Sequence, residues 1–330
     1  MTLRIGILGA ARIAPAACIR PTRAVDGVEV VAVAARDVDR ARAFATKHGI
    51  PRVHADYRQL LDDPGIDAVY NPLPNGLHGV WTRRAVDAGK HVLCEKPFTA
   101  NAAEARTVAA HVALGGRVVM EAFHYRYHPM LLRALAIVGS GELGTIERVD
   151  TALCVPLPAP GDIRFRADLA GGATMDIGCY AVHLWRILAR SEPTVTSARA
   201  KSMSAGVDRA LSATLRTGDG IAGGLDCSLL SSKLLRLHAR VVGSEGSLTL
   251  FNPLGPHLVN RTTVRVGRSR RVEHAERTPS YTFQMRAFRD AVESGRPFPT
   301  TPDDAVATME VVDALYRAAG MSPREPTPAP

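Results

Sequence analysis

Three patterns in this chain have residue types and spacings suited to chemistry. The first is Gly89-Lys90-His91-Val92-Leu93-Cys94-Glu95-Lys96-Pro97, an apolar run ending on two adjacent charges and a proline. A buried parallel strand has no room for Glu95 and Lys96 in its interior, so both belong at its carboxyl end, where open α/β sheets place their ligands. A lysine held there beside a carboxylate suits contact with a substrate oxygen; a surface Glu–Lys pair at a strand exit is the plainer alternative. The second pattern is Asp176, Tyr180 and His183, which fall at i, i+4 and i+7 and share one helix face. Polar side chains aligned on an otherwise apolar helix serve either core hydrogen bonding or a cleft.

The third pattern is Gly9-Ala10-Ala11-Arg12-Ile13-Ala14, where a dinucleotide fingerprint reads G-x-G-x-x-G/A. Gly9, Ala11 and Ala14 meet the size requirement at the turn, with Arg12 and Ile13 between them, although Ala11 replaces the second glycine. Tight strand–helix packing would explain the same residues. The second strand ends in Ala34-Ala35-Arg36-Asp37, with Arg40 one turn on. A carboxylate there would select NAD; the guanidinium of Arg36 instead suits a 2′-phosphate, so NADP is expected over NAD. A solvated arginine at the helix start is the alternative. Strand three ends in Asn71-Pro72-Leu73-Pro74-Asn75-Gly76-Leu77-His78, a rigid turn on the same rim as Lys96. Pro74, Asn75 and His78 are candidates to face the cofactor, although Asn75 can simply cap the next helix.

These residues need elements to hold them. Continuous apolar runs at Leu3–Leu8, Val28–Ala35, 67–70, His91–Cys94 and 117–121, with a short one at Arg52–His54, read as strands. Helical segments at about 12–24, 38–48, 57–62, 77–88 and 101–114 alternate with them, and Gly49, Gly89 and Gly115 mark stops. That alternation predicts a doubly wound α/β domain with a parallel sheet, covering residues 1–122. From Thr145 the pattern changes to alternating strands at 146–155, 194–203, 208–217, 220–230, 234–242, 247–251 and 262–274. These predict an α+β domain, residues 123–320, with a large, mostly antiparallel sheet. One helix at about 174–189 interrupts it, and two more, about 280–293 and 303–319, close it. Residues 321–330 are dense in proline and predict a disordered tail. So many strands with few helices leave a sheet face uncovered, and an apolar one would seek a partner, giving a dimer or tetramer.

Composition excludes several classes. No apolar run of the 330-residue chain approaches a membrane span. The net charge of +9 is spread along the chain; five of the 41 basic residues are lysine, and few aromatics lie among them as stacking platforms. A nucleic-acid partner is therefore not expected. The N-terminus leads directly into a strand, and the five scattered cysteines show no zinc spacing, so no metal and a reducing, cytoplasmic setting are expected.

The order of Gly9-x-Ala11-x-x-Ala14, Ala35-Arg36-Asp37, Leu73-Pro74-Asn75-x-x-His78, Ala88 to Pro97 and Glu121 to Pro129 resembles the glucose–fructose oxidoreductase / inositol dehydrogenase / rhizopine-catabolism (Gfo/Idh/MocA) family. The likeness spans nearly the whole chain. It is nearest the branch of trans-dihydrodiol and xylose dehydrogenases and sugar 3-ketoreductases. A further family motif stands as Gly171-Gly172-Ala173-Thr174-Met175-Asp176-Ile177-Gly178-Cys179-Tyr180. Two positions depart from the common pattern: Ala11 for glycine, and tyrosine rather than histidine at 180, as in the dihydrodiol branch.

The resemblance implies hydride transfer between a nicotinamide and a carbinol carbon of a small-molecule substrate. Glu95 and Lys96 would lie at both cofactor and substrate, with Lys96 on the reacting oxygen and Glu95 orienting it. Tyr180 would move the proton, and Asp176 would fix substrate hydroxyls. Lysine and tyrosine both have free pKa values of about 10, so a cationic Lys96 beside Tyr180 would help by stabilising its phenolate. Arg126, Tyr127, Arg164 and His183 are candidates on the substrate side. A catalytically silent NADP-binding regulator, and a glycosidase using a tightly held nicotinamide transiently, are the competing readings.

Overall fold

The structure, a computed structural model, describes residues 2–157, 161–204 and 206–328. The chain divides into two compact units: the residues up to His124 with Tyr281–Val306, and Tyr125–Ser280 with Ala307–Thr327. The change from first to second unit falls at 124/125 rather than after residue 122, and helix α8 (Ser280–Ser294) belongs almost wholly to the first.

In the first unit, β1 (Leu3–Leu8), β2 (Val28–Ala34), β3 (Arg52–His54), β4 (Ala68–Asn71), β5 (His91–Cys94) and β6 (Val119–Glu121) form a parallel sheet in the order β3-β2-β1-β4-β5-β6. Ile5, Ile7, Leu8, Val69, Val92 and Leu93 are fully buried, which is why these strands read as unbroken apolar runs. The strand order reverses between β1 and β4, the place where such sheets open a crevice at their carboxyl ends. Helix α2 (Val38–His48) starts on Asp37, whose carboxylate accepts from the Asp39 and Arg40 amides, and stops at the left-handed Gly49. The helix expected at 12–24 is instead a π-helical turn, Pro15–Ile19, followed by α1 (Arg20–Arg23).

The second unit carries an eight-stranded sheet of β7 (Ile146–Cys154), β8 (Pro193–Ser204), β9 (Val207–Thr217), β10 (Ala222–Ser228), β11 (Arg236–Gly243), β12 (Gly246–Phe251), β13 (Arg261–Val266) and β14 (Ser269–Glu273). Its order is β14-β13-β12-β11-β7-β10-β9-β8, and among the described residues β7 and β10 alone pair in parallel. The segment expected as one strand at 262–274 is a hairpin of β13 (Arg261–Val266) and β14 (Ser269–Glu273). Helix α7 (Cys179–Ala189) packs on one face: Trp185 donates to the Val149 carbonyl at 2.7 Å, and Thr151 to the Ala181 carbonyl at 3.2 Å. Helix α6 (Pro129–Gly139) was not anticipated from the sequence, although Pro129 at its first position is an ordinary start signal; its cap is His128, whose ring accepts from the Met130 amide.

The opposite sheet face differs from the apolar surface expected. Strand register places Arg265, Ser247, Val242, Arg148, Ala222 and Arg216 side by side, with Arg240 opposite Asp150 in the next row. Strand positions facing outward carry arginines and small polar residues because nothing in the unit covers them. The tail also differs from expectation. Residues 321–328 form neither helix nor strand, yet Arg324 within them is buried and paired with Asp208, Nη2 to Oδ1 at 2.8 Å. That anchor holds a stretch whose composition alone predicts disorder; residues 329–330 lie outside the described residues.

Candidate active site

On the first unit, three turns at the carboxyl rim of the parallel sheet carry the cofactor candidates. After β1, Gly9 adopts φ +95°, and a Cβ there would stand 3.2 Å from the Leu73 side chain, so the tight turn requires glycine. Ala11 is half-buried while Arg12 and Ile13 are exposed, leaving the turn open along its backbone. After β2, Arg36 is exposed and, among the described residues, pairs with no carboxylate, and Arg40 donates to the Ala10 carbonyl at 3.0 Å. A turn built on Gly9 and Ala11, beside the exposed guanidinium of Arg36, fits a dinucleotide bearing a 2′-phosphate.

After β4, Pro74 and Asn75 are half-buried, and Asn75 opens a 3₁₀ turn, Asn75–Leu77. His78 corrects its sequence assignment. It is fully buried, with Nδ1 2.7 Å from the Pro97 carbonyl and Nε2 2.6 Å from the Leu73 carbonyl. Burial, only partly offset by these carbonyls, lowers its pKa to about 4. His78 therefore ties the loop after β4 to the loop after β5 and does not itself reach a ribose.

After β5, Glu95 is buried and Lys96 half-buried. The Tyr70 hydroxyl donates to Glu95 Oε1 at 2.7 Å, and the Lys96 amide donates to Glu95 Oε2 at 3.3 Å. Burial and the Glu95 charge push the Tyr70 hydroxyl well above its usual range, so it stays a donor. Glu95 is thus a fixed brace at the strand end, and a loose surface Glu–Lys pair is not what the structure contains.

On the second unit, the helix expected at 174–189 opens with a π-helical turn, Thr174–Gly178, before α7 begins. Single π turns inside helices recur at functional sites because they re-aim side chains that strict α spacing would misplace. Asp176 pairs with Arg164, Nε to Oδ2 at 3.1 Å, and Arg164 also reaches Asp162 at 3.1 Å. Burial opposes the Arg164 charge, but the two carboxylates outweigh it and hold it protonated. Arg164, expected on the substrate side, is engaged in holding Asp176.

Tyr180 is 6% exposed, with its ring centroid 5.7 Å from that of Tyr125. The Tyr125 hydroxyl lies 2.6 Å from His183 Nδ1, and both residues are fully buried. His183 therefore positions Tyr125 and has no surface to offer a substrate, contrary to its expected place. Tyr125 was missed by sequence reasoning. Its signal was the aromatic run His124–His128 in a chain with only 5% Phe, Trp and Tyr. Tyr127 is buried. Arg126 lines, with Arg190 and Ile187, an open groove of about 610 Å³ on α6 and α7. Among the described residues no group of three or more His, Cys, Asp or Glu side chains could hold a metal ion.

A dinucleotide-type parallel sheet in one unit and, in the next, a predominantly antiparallel sheet with a largely apolar helix on one face is the architecture of a two-unit dinucleotide-binding protein. Residues 3–123 match the family model of an oxidoreductase family with an NAD-binding Rossmann fold, and residues 131–249 match the Gfo/Idh/MocA C-terminal domain. A D-xylose 1-dehydrogenase (NADP(+)) of Haloferax volcanii is 37% identical over 321 residues, covering 96% of this chain and 97% of that protein. A dTDP-3,4-didehydro-2,6-dideoxy-α-D-glucose 3-reductase of Streptomyces violaceoruber is 35% identical over 329 residues, covering 96% and 95%. The solved structure of a 3-ketoreductase from Actinomadura kijaniata in complex with NADP and TDP-benzene superposes with a TM-score of 0.88 at 28% identity, covering 96% of this chain and 98% of that one. This chain belongs to the Gfo/Idh/MocA family of oxidoreductases.

Proposed function

We propose that this enzyme is an NADP-dependent oxidoreductase acting on a CH–OH or carbonyl carbon of a sugar, sugar derivative or dihydrodiol. The observation that carries the reading is the polar face at the π-helical start of α7. There Asp176 is held by Arg164, and Tyr180 lies against a ring fixed by His183. Ordered polar groups at the start of an otherwise apolar helix suit a substrate with several hydroxyls. The likeness to sugar dehydrogenases and 3-ketoreductases supports the substrate class.

Gly9, Ala11, Arg12 and Ile13 would hold the pyrophosphate, Arg36 and Arg40 the 2′-phosphate, and Pro74 and Asn75 the ribose side. When bound, the nicotinamide supplies or accepts the hydride. The chain's own residues do the rest. Lys96 donates a hydrogen bond to the reacting oxygen, and Glu95, braced by Tyr70, fixes the Lys96 backbone. Tyr180 gives or takes the proton at its hydroxyl. Asp176, paired with Arg164, accepts from substrate hydroxyls. Arg126 and Tyr127 shape the substrate side. A panel of sugars, nucleotide-linked sugars and dihydrodiols, scanned for NADP reduction or NADPH oxidation, tests the reading; no turnover across all three classes would count against it.

Cofactor choice has its own test. Arg36→Glu removes a charge-assisted hydrogen bond of about 1.5–3 kcal/mol and adds a repulsion, so NADP affinity should fall at least about tenfold. Calorimetry that finds NAD bound more tightly than NADP by the unmodified protein would overturn the assignment.

The protein is proposed to be cytoplasmic, in keeping with five buried free thiols; no described helix is long and apolar enough to cross a membrane. A homodimer or homotetramer through the open sheet is also proposed. Because that face is basic, facing copies repel at low ionic strength, and association should strengthen as salt rises. Sedimentation showing a monomer at micromolar concentration at both low and high salt would contradict it.

A further inference from the structure

The C-terminal stretch ends in a connection that expectation did not include. Of residues 321–328 only Arg324 is buried. Taking a guanidinium out of water is costly unless its charge and donors are met, and here the charge and both terminal nitrogens are met. Nη2 lies 2.8 Å from Asp208 Oδ1, Nη1 donates to the Gly206 carbonyl, and the guanidinium sits 4.3 Å over the Tyr316 ring. The Tyr316 hydroxyl donates to the same Oδ1 at 2.9 Å.

The other oxygen of Asp208 faces the catalytic helix. Oδ2 accepts from the Thr174 amide and the Thr174 hydroxyl, both at 2.7 Å. Thr174 is the first residue of the π-helical turn that carries Asp176 and precedes Tyr180. One fully buried carboxylate therefore joins the tail to the start of that turn. Gly172 shows how closely the junction is built: at φ +138°, a Cβ there would lie 2.2 Å from Asp208 Oδ1 and 2.9 Å from Arg324 Nη2.

A second contact binds the segment before the helix. The Thr327 hydroxyl donates to the Asp168 carbonyl at 2.6 Å. Asp168 lies in the stretch whose Arg164 and Arg166 carbonyls accept from the Gly172 and Gly171 amides at 2.7 and 2.9 Å. The same stretch supplies Arg164 to Asp176. We infer that the tail is a strap, and that Arg324 and Thr327 are positioning residues that set Asp176 and Tyr180 through Asp208 and residues 164–172. This inference rests on the function proposed above for those two residues.

The test compares full-length wild type with Arg324→Met, which keeps the stem over Tyr316 but loses charge and donors, and with Arg324→Lys, which keeps the charge. Hydrogen exchange over residues 164–178, NADP affinity and steady-state kinetics are measured on each. In Arg324→Met these amides should exchange about tenfold faster or more, and kcat should fall about tenfold to a hundredfold. NADP affinity should stay within about twofold of wild type, because the strap acts on the substrate side. Arg324→Lys should recover part of both losses. Unchanged exchange overturns the strap, and so does faster exchange with wild-type kcat and KM. If the wild type turns over no substrate, the functional reading fails while exchange alone still decides the strap. Should Arg324→Met not fold, Thr327→Val, which removes only the bond to Asp168, is held to the same criteria.

Discussion

Replacing Tyr180 by phenylalanine is expected to lower kcat by about 10²–10⁴ and leave the fold intact. The ring is 6% exposed and packs against Tyr125, so phenylalanine preserves the contact and removes only the hydroxyl. A proton that must move with the hydride then loses its donor or acceptor. A purely structural tyrosine would behave in the opposite way: Tyr180→Phe would melt several degrees lower and turn over normally. Circular-dichroism melting and steady-state rates on the same preparation separate the two.

Lys96→Met is expected to reduce turnover by about 10² or more while NADP affinity stays near that of the wild type. Methionine retains the length of the stem but has neither charge nor donor for the reacting oxygen. The brace beneath it should persist, because the Tyr70 hydroxyl at 2.7 Å and the backbone amide of residue 96 at 3.3 Å, both kept by the substitution, donate to Glu95. Normal kinetics in Lys96→Met with the true substrate would remove Lys96 from the reaction. Combining both substitutions adds a check: groups serving one step lose less together than the sum of their separate losses.

Much of the first unit was legible because its physics is local. Unbroken apolar runs such as Ile5 to Leu8 and Val92 to Cys94 signal strands buried on both faces, and Asp37 and Gly49 mark the ends of α2 where its caps form. The site turns followed, since they must leave those strands at one rim. What escaped was set by distant partners. His78 carries the spacing of a rim residue, but the carbonyl of Pro97, nineteen residues on, claims its ring. Nothing local announces that Arg324 will meet Asp208, 116 residues earlier, so a proline-dense tail reads as disorder.

Helix α7 and the π turn before it show both outcomes. Asp176, Tyr180 and His183 were readable as polar positions on an apolar helix, yet α spacing gave no sign of the π turn at Thr174–Gly178. Nor did it separate their environments: Asp176 takes an arginine, and His183 is sealed against Tyr125. The strand-to-helix ratio predicts an uncovered face on the second sheet, but not its arginines, because only the strand register brings Arg265, Arg148 and Arg216 together.

The most direct test of the central claim follows the hydride itself. NADPH deuterated at the transferable C4 position is incubated with the enzyme and the carbonyl form of the substrate found by the panel, and the product is analysed by mass spectrometry and NMR. The account predicts one deuterium at the new carbinol carbon, stoichiometric with NADPH consumed, and the same labelling formed at correspondingly lower rates in Tyr180→Phe and Lys96→Met. An unlabelled product formed with no net consumption of NADPH would contradict it.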